Sequence, residues 1–280
     1  MPQNVNSKSY RNKRSTNRLA SILGFIACLS ACSGNPIKQT QKHCPDCTAI
    51  TLDGGGPAPL RAYLRNQENA GDTLHIYLEG DGKPWRKNGT PNTNPNTNSY
   101  TALKLMALDS APSLYLNRPC YGFENPPEHC MATDWTSGRY SEQNISELAT
   151  AIEQFQSENA HNNLVLIGHS GGGSVATILA SRLRHVKALI TIAANLDHLK
   201  WTQAFNYLPL SSSLNAVDYF PLKKSIKRWH FAGDNDQIVP WELTYNAINN
   251  DLGAKFILKK GFGHNCCWGR IWNEVLSDLE

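Results

Sequence analysis

The chain has 280 residues, 40% of them hydrophobic, enough to bury one substantial core and ordinary for a single α/β domain. Its formal charge of +4 is concentrated at the start: five of the 27 lysines and arginines, Lys8, Arg11, Lys13, Arg14 and Arg18, precede residue 32, where no acidic residue occurs. The other 22 basic side chains face 23 acidic ones, so the electrostatic case for a nucleic-acid partner disappears.

After the basic stretch, Leu19 to Ala31 form an apolar run of 13 residues, short of the roughly 20 that a membrane span needs. Basic segment followed by short apolar segment is the order of a signal peptide, and no stop-transfer segment follows. Leu29-Ser30-Ala31-Cys32 resembles a bacterial lipobox, in which the chain is cut before the cysteine and the new terminus is acylated. The resemblance implies a lipoprotein signal peptide over residues 1–31 and a lipid anchor at Cys32, with a palmitate label as its assay. Ser33, rather than aspartate, follows the cysteine. By resemblance to Gram-negative lipoproteins this implies an exported protein of the cell envelope, on the outer membrane and facing the periplasm.

Residues 32–48 are polar and aperiodic and read as a lipidated tether, so the folded domain is expected over 49–280. Ala49 to Asp53 and Leu60 to Asn66 suit an antiparallel edge hairpin. Thr73 to Glu79 predicts a strand, leading into the turn Glu79-Gly80-Asp81-Gly82 and then the Pro/Asn/Thr loop Lys87 to Asn98, whose length suits a loop flanking a site. A helix over Ser99 to Leu108 and a strand from Ser113 follow. Ser141 can N-cap a helix in which Leu148, Ile152 and Phe155 recur at helical spacing. Leu164 to Ile167 is an apolar strand, Gly173 to Leu183 a helix, and Val186 to Asn195, Ile226 to Asp234 and Ala254 to Lys260 are further strands before a short C-terminal helix. Leu199 to Pro221 reads as an excursion over the site with no assignable cap fold. The alternation predicts an α/β protein with a mostly parallel central sheet and helices on both faces.

Six cysteines remain beyond Cys28 and Cys32: Cys44, Cys47, Cys120, Cys130, Cys266 and Cys267. An even count in an exported chain points to disulfides, and Cys120 to Cys130 is the preferred bridge because it closes the short Pro-rich loop Tyr121 to His129. Adjacent Cys266 and Cys267 are not expected to bond each other; one or both would reach the Cys44/Cys47 pair. The alternative of a zinc site built from Cys44, Cys47, His264, Cys266 and Cys267 lacks a second pair with zinc spacing.

The apolar strand at Leu164 runs into Gly168-His169-Ser170-Gly171-Gly172, which matches the G-x-S-x-G strand-to-helix elbow of the α/β-hydrolases. Ser170 is the candidate nucleophile. A serine hydroxyl needs a histidine to take its proton and a carboxylate to orient that histidine. In that superfamily both follow the serine, acid first, on loops after later strands. Gly233, Asp236, Val239 and Pro240 match G-x-x-D-x-x-V-P, making Asp236 the acid and Asp234 its rival, a turn residue or helix cap. His264 follows the last predicted strand, between Gly263 and Asn265. His169 is expected to point away from Ser170 and to pack or line the pocket edge.

Charge developing on a substrate carbonyl oxygen needs hydrogen-bond donors, each contributing about 3 kcal/mol in known cases. The amide of Gly171 is one candidate. The other is Asp81 or Gly82, in a turn where many α/β-hydrolases carry a histidine and this chain has Glu79. Together these motifs resemble the α/β-hydrolase superfamily over nearly the whole chain from Leu60. Tyr77 to Trp85, Asn117 to Phe123, Trp135 to Ser141 and Ile192 to Trp201 further resemble proteobacterial serine-hydrolase-like proteins.

The resemblance implies the α/β-hydrolase fold and a serine hydrolase cleaving a small-molecule or lipid carboxylic ester through an acyl-enzyme on Ser170. It calls for no cofactor, no metal and no nucleic acid, and for a membrane only through Cys32. Peptidase, amidase or acyltransferase chemistry would use the same triad, and a non-catalytic envelope lipoprotein could keep the fold alone. Trp85, Tyr121 and Trp135 could line an acyl or alcohol pocket.

Overall fold

The computed structural model describes residues 35–69 and 71–279; the expected signal peptide and Cys32 lie outside the described residues. Eight strands form one sheet: β1 (Thr48–Leu52), β2 (Leu60–Arg65), β3 (Thr73–Leu78), β4 (Ser113–Leu116), β5 (Asn163–His169), β6 (Val186–Ile192), β7 (Lys227–Gly233) and β8 (Ala254–Lys259). Their order in space is β1, β2, β4, β3, β5, β6, β7, β8. β2 pairs antiparallel with β1 and β4, and every pairing from β4 to β8 is parallel.

Parallel central strands are buried on both faces, which is why they read as continuous apolar runs. In β5, Leu164 and Leu166 enter one core cluster while Val165 and Ile167 enter the other. The first cluster is covered by α3 (Glu142–Glu158) and α4 (Gly171–Arg182), through Ile145, Leu148, Val175 and Ile178. The second is covered by α2 (Thr101–Met106) and by a helix near the C-terminus, Trp272–Ser277, through Leu103, Met106, Trp272 and Val275. Each such side chain, fully buried, stabilises the fold by about 1.5–3 kcal/mol relative to exposure. Ser141 caps α3, its hydroxyl accepting from the Asn144 amide.

The expected tether is corrected by the structure. Folded chain begins before residue 49, with α1 (Pro36–His43) N-capped by Asn35, whose side chain accepts from the Ile37 and Lys38 amides. Thr40 and Cys44 are buried against the domain. Asparagine followed by proline at the first helical position was the legible signal.

The disulfides also differ in part. Cys120 pairs with Cys130, but Cys44 pairs with Cys47 and Cys266 with Cys267, so no bridge joins the N-terminal segment to the C-terminal loop. Local turns decide this. The Cys47 amide donates to the Cys44 carbonyl, and Cys267 adopts a left-handed φ of 82°, each bringing near neighbours in sequence together. The region after β6 contains α5 (His198–Phe205), capped by Asp197 and ended by Asn206 at a φ of 52°. No helix among the described residues is long and apolar enough to cross a membrane.

Candidate active site

The loops after β3, β5, β6, β7 and β8 leave the same edge of the sheet, so residues far apart in sequence converge there. Ser170 stands between β5 and α4 at φ 54° and ψ −125°, a conformation a non-glycine residue adopts only when its surroundings impose it. Those surroundings are close backbone approaches: a side chain at Gly168 would overlap the Gly172 carbonyl, and one at Gly172 would overlap that of Leu78. The Ser170 amide donates to the Ile192 carbonyl at 2.9 Å, tying the turn to β6.

His264 and Asp236 reach the serine from the loops after β8 and β7. His264 Nε2 lies 3.0 Å from Ser170 Oγ, and Nδ1 lies 2.8 Å from Asp236 Oδ2. A carboxylate only accepts, so Nδ1 carries the proton and Nε2 presents its lone pair to the hydroxyl. Asp236 is itself held, Oδ1 accepting from the Ile238 and Val239 amides at 2.9 Å each. The rival Asp234 instead accepts from the Gly261 amide at 2.6 Å and braces the neighbouring turn. A histidine so placed can take a proton from the hydroxyl as it attacks a carbonyl carbon.

Beneath this line lies a second pair. The His169 side chain leaves Ser170, and its Nε2 donates to the His264 carbonyl at 2.8 Å, an oxygen that also accepts from Trp268 Nε1 at 3.1 Å. His169 Nδ1 lies 3.4 Å from Glu79 Oε1, without aligned hydrogen-bond geometry. Glu79 Oε1 also accepts from the Gly80 amide, and Oε2 from the Ala102 amide at the start of α2. Burial pushes the Glu79 carboxyl up, but His169 and the amides more than offset it, holding it below its ordinary value.

Asp81 is more than the donor of an amide. Its carboxylate accepts from Arg118 Nη1 at 2.9 Å, from Arg139 Nη1 at 2.9 Å and from the Tyr140 hydroxyl at 2.7 Å. Burial pushes this carboxyl up, yet Arg139 and Arg118 together with Tyr140 bring it down to about 2. The carboxylate lies against Gly171, where any side chain would overlap Asp81 Oδ1 and the Tyr140 hydroxyl.

Arg118 Nη2 also donates to the Gly80 carbonyl at 2.6 Å, and the Tyr121 hydroxyl donates to the Asp81 carbonyl at 3.1 Å. In a trans peptide the amide points opposite its carbonyl, so these two bonds aim the Asp81 and Gly82 amides away from Arg118 and Tyr121. The amides of Gly171, Asp81 and Gly82 donate to no other group among the described residues, leaving three donors uncommitted around Ser170.

A cavity of about 210 Å³ over Ser170 is bordered by Asp81, Gly82, Arg139, Asn195, Trp201 and His264. Through Gly82, Pro84, Arg139 and Trp201 it adjoins a groove of about 560 Å³ walled by Trp85, Tyr207, Leu208 and Leu210. Of the three expected pocket aromatics only Trp85 reaches this space. Tyr121 and Trp135 are buried with Cys120, where Arg118 stacks on Tyr121 at 4.5 Å and Trp135 Nε1 donates to the Asn92 carbonyl at 3.0 Å.

The roles of Arg118, Arg139 and Tyr140 escaped the sequence reading although they sit inside two of its quoted motifs; nothing local to either motif points to Asp81. The sulfurs of Cys44, Cys47, Cys266 and Cys267 are all in disulfides.

No protein-family model matches the chain, and no curated protein is similar to it in sequence. Solved structures are similar in fold. The Pyrococcus furiosus esterase Pf2001 superimposes with a TM-score of 0.60 at 13% identity, over 83% of this chain and 90% of that one. Est1E from Butyrivibrio proteoclasticus, bound to ferulic acid, gives 0.59 at 15% identity over 82% and 96%. A Mycobacterium tuberculosis puromycin-hydrolyzing peptidase gives 0.59 at 13% identity over 84% and 39%. The sheet order and these likenesses define the α/β-hydrolase fold.

Proposed function

We propose that the protein is a serine hydrolase that cleaves a carboxylic ester through an acyl-enzyme on Ser170. The observation that carries this reading is the unbroken line Ser170 Oγ, His264, Asp236, with contacts of 3.0 and 2.8 Å at the mouth of a cavity. Ser170 Oγ attacks the ester carbonyl while His264 Nε2 takes its proton, and Asp236 stabilises the imidazolium that results. The Gly171 amide, with that of Asp81 or Gly82, receives the oxyanion. His264 then protonates the leaving alcohol and activates the water that releases the acyl group.

A fluorophosphonate probe tests this directly: the purified protein is expected to be labelled and Ser170→Ala is not. Absent labelling, or equal labelling of both, overturns the reading. Hydrolysis of matched ester, thioester and amide substrates separates esterase from peptidase chemistry. We also propose acylation at Cys32 and display on the periplasmic side of the outer membrane, on the strength of the lipobox-like segment Leu29 to Cys32. Radiolabelled palmitate is expected to enter the protein and not Cys32→Ala.

A further inference from the structure

Two guanidiniums, Arg118 and Arg139, flank the carboxylate of Asp81 in a nearly dry wall of the cavity. Arg118 is committed to Asp81, to the Gly80 carbonyl and to the Tyr121 ring. Arg139 is not. Its Nε donates to the Thr136 carbonyl at 2.8 Å and its Nη1 to Asp81, while Nη2 has no partner among the described residues.

Nη2 is not fully buried. The spaces Arg139 borders are the Ser170 cavity and the adjoining groove. Among the described residues the only carboxylate bordering either is Asp81, already paired, and the other full charge there is Lys83, a cation. Burial disfavours the Arg139 charge, yet Asp81 more than offsets this and keeps the guanidinium protonated. A nearly buried cation with a free donor is stabilised by an anion far more than by water or an apolar group.

We propose that the ester substrate carries an anionic group, a carboxylate in the simplest case, received by Arg139 Nη2 at the junction of cavity and groove. This rests on the serine-hydrolase reading and narrows it. The groove beyond Arg139 is apolar, with Trp85, Tyr207 and Leu208 exposed along it, so it takes the uncharged body of the same molecule. The substrate class is therefore an amphiphilic ester with its negative charge close to the scissile bond, rather than a neutral alkyl ester.

The test compares 4-nitrophenyl butyrate, valerate and hexanoate with the half-esters of the dicarboxylic acids of equal chain length. With the wild-type protein at least one half-ester is expected to exceed its neutral counterpart by about ten-fold in kcat/KM, mainly through KM, the size of one charge-assisted hydrogen bond. Arg139→Gln is expected to bring that ratio to about one, whereas Arg139→Lys retains part of it. Because Arg139 also holds Asp81, a wild-type measurement stands beside the variants: free alkanedioates should inhibit neutral-ester hydrolysis more strongly than their diamides. Neutral esters equal to or better than every half-ester, in protein whose Ser170 reacts with fluorophosphonate, would overturn the proposal and leave the hydrolase reading intact. Protein that neither reacts with the probe nor cleaves any ester would overturn both.

Discussion

Two histidine–carboxylate pairs of nearly equal geometry occupy opposite ends of the sheet. His264 and Asp236 lie 2.8 Å apart beyond the carboxyl ends of the strands, with side-chain exposures of 10% and 0%. His75 and Asp109 lie 2.6 Å apart toward the amino end of β3, at 10% and 2%. Distance and burial do not tell them apart. What differs is the far side of each pair: His264 turns its second nitrogen to Ser170 Oγ on a strained elbow, whereas His75 has no hydroxyl there among the described residues. Asp109 is also shared, accepting from the Tyr77 hydroxyl and the Ala111 amide, with its carbonyl held by Arg65 and Asn66. One pair therefore completes a hydrogen-bonded line to Ser170, and the other ties the start of β3 to the chain after α2.

Breaking the first pair should have the largest effect. Asp236→Asn keeps an oxygen to accept from the Ile238 and Val239 amides but presents the wrong partner to His264, so kcat is expected to fall about 10⁴-fold. Steady-state kinetics beside a melting curve would check that the loss is catalytic and the fold retained. His169→Phe removes one of two donors to the His264 carbonyl, and a displaced His264 should lower kcat about ten-fold with little change in KM.

The second pair predicts the opposite signature. Asp109→Asn should lower stability by about 1–3 kcal/mol in a denaturant titration while leaving kcat unchanged. A loss of kcat rivalling that of Asp236→Asn would remove the distinction between the two ends of the sheet.

The smallest expected effect is on acid stability and concerns a third carboxylate. Asp81 is held at about 2 in the folded protein against an ordinary 3.8, so its ionised form favours folding. That contribution is fully present above about pH 4 and is lost as pH falls toward 2. Denaturation midpoints of wild type and Asp81→Asn should therefore converge across that interval, and a constant gap would show that Asp81 contributes otherwise than through its charge.

Local chemistry made part of this protein legible in its sequence. The elbow could be read because its demands are local: an apolar strand, then glycines where backbone must approach backbone around Ser170. Asp236 and His264 could be placed because each follows a recognisable strand, and parallel strands deliver their following loops to one edge. The Cys120–Cys130 bridge was legible for the same reason, since it closes a loop only ten residues apart.

Tertiary structure alone decided what surrounds that line. Arg118 and Arg139 lie 37 and 58 residues from Asp81, and nothing in their own neighbourhoods marks that destination. Glu79 and His169 meet only because β3 and β5 are adjacent in the sheet. The sequence by itself determined the eight strands, their order along the chain and the residues that could form the line. Which charges would be buried beside that line, and which would be left with a free donor, was decided by side-chain packing after the strands had taken their places.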